Sequence, residues 1–219
     1  MDDKRYKIVY EDDRLIVVDK PSGMLVIPTP KKETNTLTDL LNKELDARGI
    51  EANAYPCHRL DRETSGLVIY AKGKLAQKLL MDEFKARRVK KNYVAIVQGN
   101  VKKESDTIRS NIYNRNKSRS ESAITKFRVL ERKRDFSVLE VEPLTGRTNQ
   151  IRIHLARIGH PILGESVYAF RKDFKLRFRR TALHASRLEF IHPVTKKLLK
   201  LDSVLPTDME GLIRKGEGI

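Results

Sequence analysis

Between His58 and Lys72 the chain reads HRLDRETSGLVIYAK. One carboxylate, Asp61, stands between Arg59 and Arg62, and an apolar run of strand type follows Thr64, Ser65 and Gly66. Neighbouring guanidinium groups stabilise a carboxylate in its charged form. Asp61 is therefore suited to act as a nucleophile or a base, and less suited to act as an acid. Glycoside hydrolysis would ask for a second carboxylate. Glu63 is the close candidate, because positions 61 and 63 share a face of an extended chain. An ordinary surface salt bridge has the same spacing, so on these residues alone both readings stand.

The other reactive types carry weaker signals. Thr64-Ser65-Gly66 lacks the G-x-S-x-G frame of a serine elbow and reads as a turn before a buried strand. Cys57 and His58 are adjacent, but neighbouring side chains on an extended chain point apart; Cys57 reads as a small buried residue. His154 and His160 are too far apart for a metal pair one helical turn long, and no third ligand accompanies them. A second dense stretch, LTGRTNQIRIHLARIGHPILGESVYA, runs from Leu144 to Ala169. Arg147 and Arg152 lie five apart in it, about 140° around a helix if both were helical, so Arg147 fits the entry turn better. Arg152 either faces solvent or projects to pair with a carboxylate or phosphate. Tyr93, in KKNYVAIVQG, reads as a half-buried strand tyrosine that could also stack on a base or abstract a proton.

These residues need elements to hold them. The pattern predicts short strands over 6–10 and 15–18 with a polar turn at 11–14. A helix is expected over 36–45. A buried strand follows at 67–70, then a helix over 74–86 whose stripe is Leu75, Leu79, Leu80 and Phe84. A strand over 93–97 leads into a polar, basic loop or hairpin excursion over 99–121. Alternating strands follow at 124–130 and 136–141. A helix starts near Thr148, read as its N-cap, and runs to about Ile158. Arg171 to Arg180 forms a second basic patch interleaved with Phe174 and Phe178. Strands at 183–190 and 198–201 and a closing helix over 207–215 complete the chain. The class expected is α+β, with a mixed, mainly antiparallel sheet and flanking helices.

Composition narrows the partners. Across 219 residues, 45 Lys and Arg face 29 Asp and Glu, a net charge of +16. That excess favours polyanions: nucleic acid first, an anionic membrane surface second. A single cysteine rules out an intrachain disulfide, and no CxxC or His/Cys cluster points to zinc. The N-terminus, MDDKRYKIVY, lacks a signal-peptide core, and no apolar run approaches the ~20 residues of a membrane span. A cytoplasmic protein is expected, and with no large apolar stripe left over, a monomer.

The segments YEDDRLIVVDKPSGMLVIP, HRLDRETSGLVIYAK, KKNYVAIVQG, LTGRTNQIRIHLARIGHPILG and ALHASRLEFIHP occur in this order. The series resembles the RluA family of pseudouridine synthases over nearly the whole chain. The resemblance implies one catalytic domain over 1–219 with a central active-site cleft; many members of the family also carry an N-terminal S4 domain, and here, where the sequence starts almost at the catalytic domain, none is expected. It implies isomerisation of uridine to pseudouridine in ribosomal or transfer RNA, without metal or organic cofactor. Asp61 matches the family's essential aspartate, Tyr93 its active-site tyrosine, and Arg152 the basic residue that pairs with the aspartate. Arg59 matches the arginine that fills the gap left by a flipped base, and Arg62, Arg147 and Asn149 are expected on the RNA-binding side. Asn149 departs from the family pattern, which has histidine there, but its amide still donates and accepts hydrogen bonds. Two other readings share these residues: an idle RNA-binding protein that kept the fold, and an RNA glycosidase that releases free uracil.

Overall fold

Asp12 sets the first turn. Its Oδ1 accepts the backbone N–H groups of Arg14 and Leu15 at 2.7 and 2.8 Å. The chain folds back, and strands β1 (Lys7–Glu11) and β2 (Leu15–Lys20) pair antiparallel. This is a computed structural model that describes residues 6–114, 117–169 and 176–215. The chain divides into two compact units, one running to Lys90 and including Arg187–Ser203, the other comprising Lys91–Ser186 and the residues from Val204 onward.

In the first unit, β2 pairs with β4 (Ser65–Lys72), and the short β3 (Ala54–Pro56) pairs with the far end of β4. Every residue of β4 but the last is buried, which explains its unbroken apolar sequence: both of its faces are covered. Leu15, Val17, Leu67, Ile69 and Ala71 face helix α2 (Lys74–Lys85) through Ala76 and Leu80. Cys57 and Val89 join this core, as do Leu188 and Phe190, on the part of β9 (Leu183–Ile191) that pairs with β10 (Leu198–Asp202). The alternate residue Tyr70 turns the other way, its hydroxyl 3.1 Å from Thr38 Oγ1 on helix α1 (Leu37–Ala47). Thr36 and Asp39 close a reciprocal capping box at the start of α1, which satisfies backbone donors that would otherwise be unpaired.

In the second unit, β5 (Lys90–Gln98), β8 (Phe136–Pro143), β7 (Arg119–Arg132) and β6 (Ser105–Asn114) pair antiparallel in that spatial order. The basic excursion after Gly99 is thus a long hairpin. Ala123, Thr125, Phe127 and Val129 on β7 are buried, while Lys126, Arg128 and Leu130 between them are exposed. Helix α3 (Gln150–Arg157) covers the buried side with Ile151 and Leu155. Helix α4 (Thr207–Lys215) is tied in by Asp208, which accepts from Arg180 Nε and Nη2 at 2.7 and 2.8 Å.

The α+β class and the antiparallel pairing are as expected, and two local readings are corrected. On α2 the buried residues are Ala76 and Leu80, while Leu75 is 72% exposed and Leu79 36%. A small residue can face a core as well as a large one, and an apolar stripe drawn from large residues alone misses it. At α3 the N-cap is Asn149, in the left-handed region at φ 54°, not Thr148. Asparagine is among the few non-glycine residues that adopt this conformation routinely. Part of the Arg171–Arg180 patch, including Phe174, lies outside the described residues.

Candidate active site

In the first unit the loop that carries Asp61 is held from both ends. Cys57 N–H donates to Ile69 O at 2.9 Å, and Ile69 N–H donates to His58 Nε2 at 3.1 Å. The His58 ring rests against Phe84 of α2, with centroids 5.1 Å apart. Thr64 N–H closes the turn on Asp61 O at 3.1 Å. On its other side the loop meets the Lys20-Pro21-Ser22-Gly23 segment. Gly23 N–H donates to Arg62 O at 2.8 Å and Ser22 Oγ to Glu63 O at 2.8 Å.

Lys20 is the strongest of these ties. Its side chain is fully buried, and its Nζ donates to Pro21 O and Met24 O at 2.8 Å and to Arg62 O at 3.2 Å. A buried ammonium is tolerated only where such acceptors replace its water. Here they tie together the two loops that close the end of β2. Arg59 and Arg62 are exposed at the loop surface, and Arg62 lies 3.2 Å from Glu33. Burial pushes the Cys57 thiol up to about 12, which leaves it protonated and unreactive.

The second unit holds Tyr93, Arg147, Asn149 and Arg152. Tyr93 sits on β5 opposite Val141 and is 8% exposed. Arg147, in the entry turn as expected, donates from Nε to Ser122 O and lies 3.4 Å from Glu121. Arg152, on the first turn of α3, donates from Nε and Nη2 to the two oxygens of Glu165 at 2.7 and 2.8 Å. Its Nη1 reaches Asn149 Oδ1 at 3.2 Å, and the guanidinium lies over the Tyr168 ring at 5.3 Å. Asn149 Nδ2 donates in turn to Tyr168 OH at 2.8 Å.

Glu165 is buried, which alone would raise its pKa. Its bonds from Arg152 and from the backbone N–H groups of Val167 and Tyr168 outweigh burial and hold the carboxyl below the usual carboxylate range. The start of α3 is fixed to β7 by buried Gln150. Its Nε2 donates to Ile124 O and Thr125 Oγ1, each at 2.9 Å, and its Oε1 accepts from Thr145 Oγ1 and Arg147 N–H.

Residues 14–157 match the family model described as RNA pseudouridylate synthase. The chain belongs to that family. The synthase is 34% identical over 218 residues to the RNA pseudouridine synthase YhcT of Bacillus subtilis, covering 94% of this chain and 71% of that protein. It is 36% identical to ribosomal large subunit pseudouridine synthase D of Zymomonas mobilis, covering 95% of this chain and 72% of the other. Among solved structures, human RNA pseudouridylate synthase domain containing 4 superposes with a TM-score of 0.82 at 24% identity, covering 96% of this chain and 93% of that one. The RluA-type resemblance of the sequence, and the uridine-isomerising activity it implies, are thereby borne out.

Three residues of the synthase escaped the sequence reading: Lys20, Gln150 and Glu165. For Lys20 there was a usable signal, a lysine closing the otherwise apolar run Leu15–Val18 just before proline. Glu165 follows Gly164 in a polar turn and has no periodicity to reveal its burial. No group of three His, Cys, Asp or Glu side chains able to hold a metal occurs among the described residues, and no helix there is long and apolar enough to cross a membrane.

Proposed function

We propose that the synthase isomerises uridines of ribosomal RNA with Asp61 as the essential carboxylate, and that Tyr93 and Arg152 serve the same uridine. The observation that carries the Asp61 assignment is the loop itself. Lys20, Ser22, Gly23, His58 and Cys57 all hold the backbone of residues 57–64, and preorganisation of this kind is what positioning a reacting group demands. Ribosomal RNA is put ahead of transfer RNA because curated relatives at 36% identity act, by name, on the ribosomal large subunit.

A stacked uridine must leave its stem before chemistry begins. Arg59, exposed on the loop, is suited to fill the vacancy, because a guanidinium stacks and hydrogen-bonds at once. Arg62, Arg147 and Asn149 support RNA binding. The N1–C1′ bond then breaks, the uracil turns, and C5 bonds to C1′; the C5 proton is lost and N1 regains one. Asp61 acts at the sugar by attacking C1′, by taking the 2′ proton, or by stabilising positive charge. Tyr93 stacks on the uracil, and Arg152 supplies the positive charge that keeps the carboxylate ionised and oriented. The reaction uses these side chains without metal or organic cofactor, and both units together serve as one catalytic domain, active as a monomer.

Tritium release from RNA labelled at uridine C5 tests the reading. Wild type releases tritium from ribosomal RNA, and Asp61→Asn binds the same RNA with unchanged affinity but releases none. Normal turnover by Asp61→Asn would sink the assignment. Release from transfer RNA alone would move the substrate. Free uracil in place of pseudouridine would favour the glycosidase.

A further inference from the structure

Arg152 is held by more than its own helix. Glu165, whose side chain has no solvent exposure, presents both oxygens to it. Oε2 accepts Arg152 Nε at 2.7 Å and Oε1 accepts Nη2 at 2.8 Å, a bidentate pair. The carboxylate is itself immobilised, for Oε1 also accepts the backbone N–H groups of Ser166, Val167 and Tyr168 at 3.0, 2.8 and 3.2 Å. Three successive N–H groups converging on one oxygen form a small anion nest. They keep the carboxylate charged at a site where water does not reach.

The turn that makes the nest is fixed too. Gly164 has φ +79°, and a Cβ there would lie 1.8 Å from Arg180 O. Asn149 Oδ1 accepts from Arg152 Nη1, and the Tyr168 ring lies beneath the guanidinium. A long arginine side chain that is free in solution loses considerable rotamer entropy on ordering. A buried carboxylate that orders it in advance removes that cost from the reaction.

We infer that Glu165 is a positioning residue for the isomerisation: from its nest it locks the Arg152 guanidinium in one orientation. This rests on the reading of Arg152 as the cation that supports the reacting carboxylate. A fork placed beforehand acts on the reacting group without reorganising during the reaction.

The test is a double-mutant cycle on Arg152→Lys and Glu165→Gln, read by single-turnover tritium release at saturating enzyme. Lysine keeps the charge but not the fork; glutamine keeps the volume but not the charge. Each single change is expected to lower the rate constant ~30–100-fold, the scale of a misplaced reacting group, with RNA affinity within about threefold of wild type. Because both changes break the same lock, the double variant falls no more than about threefold below the lower single variant. Multiplying penalties would overturn the inference, since a carboxylate that only stiffened its turn would act independently of Arg152.

A second readout needs no turnover. In wild type labelled with 15N-arginine, the Arg152 Nε–H gives one exchange-protected resonance, assigned by its loss in Arg152→Lys. Glu165→Gln abolishes that protection, and its persistence would overturn the inference. Should Glu165→Gln not fold, Glu165→Asp replaces it: its carboxylate is drawn back by one methylene, and the same losses of rate and protection are expected. If Arg152→Ala turns over normally, the role of Arg152 fails. If Arg152→Ala is inactive while Glu165→Gln equals wild type, only the positioning role fails.

Discussion

At the scale of single residues, the loop that carries Asp61 is held by a side chain that does not meet solvent, that of Lys20. Its ammonium is fully buried and serves carbonyls at both ends of the loop pair beneath Asp61. Lys20→Met keeps the stem but strands those carbonyls without a donor. It should cost about 2–4 kcal/mol in urea unfolding, from the penalty for unsatisfied buried groups, and should lower turnover more than RNA affinity. Unchanged stability would mean that water replaces the ammonium. Asp61, Arg59 and Arg152 could be proposed from the sequence because they lie in motifs that carry the family resemblance. The burial of Lys20 and Glu165 could not be assigned from sequence, because it is decided by partners elsewhere in the chain: Arg62 for Lys20, Arg152 for Glu165.

At the scale of elements, most strands and helices were read from periodicity and fell close to their observed bounds, since each apolar run had one environment to enter; the short β3 was not read, and β6 only as part of a loop or hairpin excursion. The errors came where periodicity is silent. On α2 the choice between Leu75 and Ala76 is set by the direction from which β4 meets the helix, and size alone misassigns it. The structure makes a paired prediction. Leu80→Ala, at a fully buried site, should cost about 2–5 kcal/mol. Leu75→Lys, at a site 72% exposed, should stay within about 0.5 kcal/mol of wild type. Thermal unfolding of the two variants side by side decides this, and equal losses would restore the stripe read from sequence. At α3 the threonine before asparagine looked like a cap. The chain instead spends Asn149 on a left-handed turn, which frees its amide to bridge Arg152 and Tyr168.

For the whole molecule, the clearest expectation concerns acid. Glu11, Asp12, Glu165 and Asp208 are each held below the usual carboxylate range. In every case burial acts the other way and is outweighed, by Arg48 and Lys72 for Glu11, by Tyr10 and backbone N–H groups for Asp12, by Arg152 for Glu165 and by Arg180 for Asp208. A depressed carboxylate stabilises the fold above its unfolded pKa, and that contribution is lost as pH falls through the folded value. His154 is also lowered, by burial first and by Arg157; below ~6.5 the unfolded chain takes up a proton that the folded chain refuses. Stability should therefore decline gently from about pH 6.5 and steeply below ~4.3. Urea midpoints across pH check this, and a His154→Gln protein should lack the gentle stage. A flat profile down to pH 3.5 would contradict the assigned ion pairs.

The path of the chain through its two units has a consequence for synthesis. The first unit takes its later part from Arg187–Ser203, and the second takes its end from the residues after Val204. Neither unit can be completed in the order in which it is translated. At ~5–20 residues per second, the stretch between Lys90 and Ser203 takes roughly 6–23 s to make, using the unit bounds. For most of that interval β2 and β4 have been made while Leu188 and Phe190 of their core have not. A nascent chain of this synthase therefore waits, with part of its apolar interior uncovered, for a segment translated long after β2 and β4, and for those seconds it is a client for whatever protects unfinished chains at the ribosome.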